Sequence, residues 1–157
     1  MDTITLSGLK KELSLLPTKD VVEICMKLAR YKKENKELLH YLLHYEHNEH
    51  DYIETVKKEI TFFFNESTYF TTVLTKKKIR KILNITNKFI KYSKHKQTEV
   101  ELRIHFCTEI KKTDNLKYAD KSLLNLYQRQ LLKINKALEK LHEDLQHDYL
   151  EEIKSLV

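Results

Sequence analysis

One glycine and one proline serve all 157 residues: Gly8 and Pro17, both within the first 20. Glycine-rich phosphate loops, the dinucleotide-binding fingerprint and the nucleophile elbow need glycine where the backbone turns sharply or meets a ligand closely. Those classes are excluded. β-Rich folds lean on Asn-Gly, Asp-Gly and related turns, and none follows Gly8. The sequence therefore predicts an all-α protein, because 140 residues after Pro17 pass without a strong helix breaker.

Long apolar runs are missing as well. Hydrophobic residues (41%) and charged residues (33%) are mixed along the chain, and no transmembrane helix or signal peptide is readable. There are only two cysteines, Cys25 and Cys107, far apart and set among apolar neighbours. That is the setting expected of buried free thiols in a reducing compartment, so a cytoplasmic location is expected, where the sequons at Asn65 and Asn84 carry no meaning. The length fits one domain, 1–157, able to bury about two thirds of the surface of its unfolded chain.

Apolar periodicity divides the chain into about six helices. A first, Ser7–Leu16, turns Leu9, Leu13 and Leu16 toward a core with Ser7 as cap, and Pro17 ends it. Thr18 caps a second that carries Val21, Ile24, Cys25, Leu28 and Tyr31 on one face. After a turn in Lys32–Lys36 come Leu38, Leu39, Leu42 and Leu43. Tyr52, Ile53, Val56, Ile60 and Phe63 or Phe64 then form a helix that stops near Asn65. A helix over Tyr69–Ser93 buries Ile79, Ile82, Leu83, Thr86, Phe89 and Ile90. Thr98–Lys111 is apolar too far round to have one solvent face, which marks a central element.

The last helix is expected to run unbroken from Asp120 to Ser155, about 50 Å, with a 3, 4 seam of Leu124, Tyr127, Leu131, Ile134, Leu138, Leu141 and Leu145. The expected fold is a single irregular helical bundle ending in this long helix, with a HEAT-like stack of helical hairpins as the alternative. A monomer is preferred. A dimer through 124–145 is the other use of such a seam.

The stretches KENKELLHYLLH, KKIRKILNITNKFIKYSKHKQTEVELRIHFC and NLYQRQLLKINKALEKLHEDLQ, about two fifths of the chain, resemble a family of small, all-helical bacterial proteins with no assigned activity. The resemblance implies a helical fold and a bacterial cytoplasm and transfers no site. Ser7–Arg30 also resembles the helix-turn-helix of SAP-type DNA-binding modules, with LKKEL as first helix and DVVEICMKL as second, but Leu16, Pro17 and Thr18 stand where that motif has a glycine-containing loop.

Acidic residues are absent from one window altogether. Ser67–Thr98 holds no Asp or Glu but nine Lys or Arg, whereas the whole chain sums to +6. Everything outside the window therefore sums to −3, and the basicity is local. On a helix, Lys77, Lys81, Asn84, Lys88, Lys91 and His95 recur at 4, 3, 4, 3, 4 and form a line about 25 Å long. Such a stripe binds polyanions by counterion release, with hydrogen bonds from Asn84 and Thr75. Tyr69, Phe70 and Tyr92, if exposed, can stack bases. The candidate nucleic-acid or acidic-partner site is Lys76, Lys77, Arg80, Lys81, Lys88, Lys91 and Lys94. With one arginine among lysines, binding should be weakly sequence-specific. The competing reading is a solvated helix face, or one paired internally with the acidic Glu143, Asp144, Asp148, Glu151 and Glu152.

Glu37, His40, His44 and His47 share one face if their helix continues, which suits a divalent metal, and Glu139 with His142 supplies a second Glu-x-x-His pair. The further carboxylates of a di-iron site are not evident, so no metal or cofactor is assigned. His105 and Cys107, two apart on a helix, face different ways and make no catalytic pair. No enzymatic activity is expected. The expected function is a protein-binding module without an identifiable surface, with nonspecific nucleic-acid binding through 76–96 as the alternative and no membrane association.

Overall fold

A computed structural model of the chain describes residues 4–66, 72–112 and 120–156. Every regular element among them is an α-helix, eight in all. The chain divides into two compact units, Met1–His44 and Tyr45–Val157.

The first unit holds α1 (Leu6–Ser14), α2 (Thr18–Tyr31) and α3 (Lys33–His44), with α2 packed on α3. The cap of α1 is Thr5, not Ser7: its hydroxyl accepts from the Gly8 amide at 3.1 Å. Thr18 is likewise the first helical residue rather than a cap, because Pro17, with no N–H to satisfy, stands in the cap position. The turn expected over Lys32–Lys36 shrinks to one extended residue, Lys32. Asn35 makes this possible by donating from Nδ2 to the Leu28 carbonyl at 2.8 Å, which satisfies an end carbonyl of α2. Leu9, Leu13 and Leu16 do not reach a core; they are 39%, 39% and 40% exposed, and neither α1 nor α2 contains a buried residue.

The second unit holds α4 (Glu49–Asn65), α5 (Thr72–Ser93), α6 (Lys96–Lys112), α7 (Lys121–Leu138) and α8 (Glu143–Leu156). Helix α6 packs against all four others. Its composition explains why: Thr98, Val100, Leu102, Ile104, Phe106, Cys107 and Ile110 are buried and cover about two thirds of the circumference, leaving a half-exposed strip at Glu101, His105 and Thr108. On α4 the buried line is Tyr52, Ile53, Val56, Ile60 and Phe64, so Phe64 rather than Phe63 enters the core, where its ring lies 5.8 Å from that of Phe106. Buried hydroxyls tie the frame together. Tyr52 donates to the Phe89 carbonyl and Tyr127 to the Leu156 carbonyl, each at 2.9 Å.

The long final helix does not form. It breaks at 139–142 into α7 and α8. Glu139 becomes the C-cap of α7, and His142 stands at the entry to α8, its Nδ1 3.4 Å from the Asp144 amide and its carbonyl accepting from Gln146 at 3.0 Å. No glycine or proline announces this turn. The seam rotates as well: on α7 the buried set is Leu123, Tyr127, Gln130, Ile134, Ala137 and Leu138, while Leu124 is 41% exposed.

Candidate polyanion-binding face

Helix α5 separates its faces cleanly. Ile79, Ile82, Thr86, Phe89 and Ile90 are buried, and Lys77, Lys81, Asn84 and Lys91 at the complementary register are exposed. The seven residue names on which a site was expected fall into two groups. Lys77, Lys81 and Lys91 form no ion pair among the described residues, and Lys94 is exposed just beyond the helix end. The others are engaged. Lys76 pairs with Asp120, and Arg80 donates to Ser122 Oγ at 2.9 Å. Lys88 lies half-buried with its ammonium 5.1 Å from the centre of the Phe89 ring. The neighbouring Lys78 turns the other way, to the Phe64 carbonyl at 2.7 Å, and burial pulls its ammonium below the usual lysine range.

One residue expected to stack bases does not do so. Tyr92 is 9% exposed and offers no stacking surface. Tyr69, Phe70 and the Thr75 side chain lie outside the described residues. His95 stands beyond the end of α5 and faces Glu49 at 3.9 Å. The chain turns there because Lys94 adopts a left-handed backbone, φ 62°, with its amide donating to the Ile90 carbonyl at 3.0 Å. Glu49 pins this corner by accepting from Ser93 at 2.7 Å and Thr98 at 2.5 Å.

The acidic residues of α8 do not neutralise the ridge. Glu143, Asp144, Asp148, Glu151 and Glu152 are all exposed, α8 packs on α6, and the described partners are Lys154 for Glu151 and His142 for Asp144.

Helix α7 adds a feature that sequence reasoning missed. Like α5 it contains no Asp or Glu, and its Lys121, Arg129, Lys133 and Lys136 are all exposed. The two helices run in the same direction on α6. Lys76 meets Asp120, Arg80 meets Ser122, and Arg103 of α6 bridges Asn87 and Gln130. Ser122, Leu126, Arg129, Lys133, Lys136 and Lys140 recur at 4, 3, 4, 3, 4, so the α7 cations stand on the line that begins at the residue Arg80 holds. The signal is present in the sequence as a second carboxylate-free stretch with periodic cations, on the same helix as the apolar seam.

Elsewhere the geometry is structural. Helix α3 ends at His44, so His47 does not share the face of Glu37, His40 and His44. Glu37 pairs with Lys33 at 3.6 Å, and the His40 and His44 rings lie 4.6 Å apart with their planes tilted by 50°. Glu139 and His142 flank the break between α7 and α8 rather than sharing a helix. Among the described residues no three His, Cys, Asp or Glu are placed to hold a metal ion. Cys107 is buried, which pushes its thiol up to about 12, whereas Cys25, expected to be buried, is exposed beside a shallow apolar cleft of about 300 Å³.

An open cleft of about 560 Å³ between α4 and α6 is lined by Lys57, Lys58, Thr61, Phe62 and His105. His105 Nε2 lies 2.8 Å from Thr61 Oγ1, and burial holds the imidazole below its usual range. Above it, Lys57 binds Glu101 at 2.8 Å and Glu54 at 2.9 Å.

No helix among the described residues is long and apolar enough to cross a membrane. Compared with family models, curated proteins and solved structures, the chain matches none.

Proposed function

We propose that this chain is a non-enzymatic helical binding module that holds nucleic acid, without sequence preference, through the cationic ridge of α5. One observation carries the reading: Lys77, Lys81 and Lys91 stand exposed along one face without a described counter-charge, in a helix that has no carboxylate of its own. Cations left unpaired on a rigid element form a field that draws in a polyanion and releases its counterions. A ridge of lysines contacts phosphates rather than base edges, hence the lack of sequence preference.

The test is fluorescence anisotropy with a labelled oligonucleotide across 50–200 mM salt, beside Lys77→Gln/Lys81→Gln/Lys91→Gln. Three phosphate contacts contribute a log-log slope of about −2.7. The triple variant should lose that much slope and bind more weakly. Equal binding by both proteins would refute the assignment of this ridge.

A second reading, a protein-binding module, is favoured by the first unit. Leu6 and Leu15 are each 86% exposed, Tyr31 76% and Leu43 69%, more apolar surface than so small a unit needs to leave open. An interaction through these side chains would vary little with salt, which separates it from the first reading.

For the fold, the second unit reads as an irregular bundle organised on α6 rather than a HEAT-like stack, since one helix touching four others is unlike an array in which each repeat touches only its neighbours. Burial of Tyr127, Ile134 and Leu138 supports a monomer over a dimer built on 124–145. The bacterial cytoplasmic setting rests on the resemblance stated above.

A further inference from the structure

The helices of the first unit do not close a core by themselves. No residue of α1 or α2 is buried, and α3 buries Tyr41 alone. The unit, Met1–His44, stands near the size of roughly 40 residues below which a fold usually needs a disulfide, a metal or association to hold it. Its one cysteine, Cys25, is a free thiol, and among the described residues no three His, Cys, Asp or Glu are placed to hold a metal ion. Association is the route left.

The place for it is the apolar cleft of about 300 Å³ between α2 and α3. Cys25, Leu28 and Ala29 line it from α2, and Leu38, Leu39 and Leu42 from α3. Spacings of 3 and 4 put each set on one face of its helix. None of the lining residues is charged, and the amide nitrogen of the remaining one, Asn35, already donates to the Leu28 carbonyl at 2.8 Å. Small-molecule sites orient their ligands with a few convergent polar groups, which these walls lack. They suit the apolar side chains of another helix.

We infer that the α2–α3 faces of two chains pair about a two-fold axis into a closed four-helix core. The inference rests on the protein-binding reading of the first unit and names its partner, a second copy. A helix pair buries only the side that each helix turns to the other, whereas four helices enclose a core between them. In an isologous contact one apolar patch serves both sides, so each chain brings the helix pair that the other lacks. Charge agrees with self-pairing. Within α2 and α3, five Lys or Arg stand against four Asp or Glu, so nothing there calls for a partner of one sign. Two copies also meet without the like-charge repulsion that the seven cations of α5 would impose on a self-contact.

Area sets the strength. Helices of 14 and 12 residues are about 21 and 18 Å long. Because α2 packs on α3, with axes about 10 Å apart, the pair presents at most about 20 by 20 Å. That is about 400 Å² in projection, against roughly 800 Å² of accessible surface per partner in a standard interface. The pairing is therefore weak and concentration-dependent, and it uses no residue of the 124–145 seam.

The experiment measures the mass of the full chain by sedimentation, in reducing buffer, from about 1 μM to about 1 mM, beside Leu28→Glu/Leu42→Glu. Both leucines are exposed in the single chain, 56% and 41%, so the variant should keep its helices, which circular dichroism checks. Labelling of Cys25 by a bulky thiol reagent is the second readout, since Cys107 is buried. The expected result is a mass that doubles with concentration in the wild type and stays that of one chain in the variant, with Cys25 labelling slowed in proportion to the fraction paired. A single-chain mass at the highest concentration with Cys25 freely labelled would overturn the second copy and leave this face to a protein of another kind. A single-chain mass with Cys25 protected at every concentration would show the cleft covered within the chain and remove both the inference and the protein-binding reading of this cleft. Doubling that the variant shares would place the contact elsewhere and overturn the inference.

Discussion

Gln130 on α7 accepts a 2.8 Å hydrogen bond from the buried guanidinium of Arg103 on α6. The same guanidinium donates to Asn87 at 3.0 Å and twice to Glu99, at 3.0 and 3.1 Å. One charge, 5% exposed, thereby joins three helices, and Glu99 with its second partner Lys96 at 2.7 Å supplies the neutralising carboxylate. Arg103 and Gln130 hold α5 and α7 in the parallel arrangement on which the cationic face depends.

Replacing Gln130 by leucine should destabilise the protein by about 1–3 kcal/mol, because an N–H of Arg103 loses its buried acceptor and water cannot replace it. Apolar periodicity alone would favour the opposite sign. Urea unfolding measured on Gln130→Leu and Gln130→Glu decides: the glutamate variant, which keeps an acceptor, should be the less damaged of the two.

Lys94 closes α5 in a left-handed conformation that costs a side-chain-bearing residue about 1–2 kcal/mol. Glycine is the residue that occupies such a position without strain. Lys94→Gly should raise the unfolding free energy measured in urea by up to about 1 kcal/mol, after the greater freedom of glycine in the unfolded chain is subtracted. A loss of stability would mean that the lysine side chain stabilises the corner by contacts outweighing its backbone strain.

Leu9 and Leu13 are each 39% exposed on α1. Their replacement by serine should therefore cost less than about 1 kcal/mol, well below the 2–5 kcal/mol of truncating a buried leucine. It should also reduce binding of a hydrophobic dye. A loss above about 2 kcal/mol would show that this face is covered in solution, by a partner or a second copy.

What could be read from the sequence follows from what the sequence encodes locally. Helical class and the central role of α6 were legible because they depend on glycine scarcity and on an apolar set too wide for one face. The α5 ridge was legible because its lysines and its buried isoleucines keep one period for four turns. The division of the last helix was not, since the turn at Glu139–His142 uses capping groups, an imidazole and a glutamine side chain, instead of glycine or proline. The seam was read one position off because a buried glutamine looks polar until its partner 27 residues away is seen. The α7 cations escaped for a related reason: their relation to α5 is set by long-range side-chain pairs such as Arg80 with Ser122.

Acid should weaken the fold in two separable windows. Burial holds His105 below its usual range, so on acidification the unfolded chain takes up this proton first, near pH 6.5, and stability present above that pH is lost as it falls through the lower folded value. Glu101 is likewise depressed. Burial alone would raise it, but hydrogen bonds from Lys57 and Tyr149, at 2.8 and 2.7 Å, outweigh that effect. Its contribution is present above about pH 4.5 and lost below. Urea midpoints of wild type, His105→Gln and Glu101→Gln from pH 8 to pH 3 separate the two. The histidine variant should flatten the curve between pH 7.5 and 5.5 and leave the lower limb unchanged. The glutamate variant should lose about 1–2 kcal/mol at neutral pH, discounted from a buried pair because Lys57 is a quarter exposed, and flatten the limb below pH 5. Parallel curves for all three proteins would show that neither group changes its proton affinity on folding.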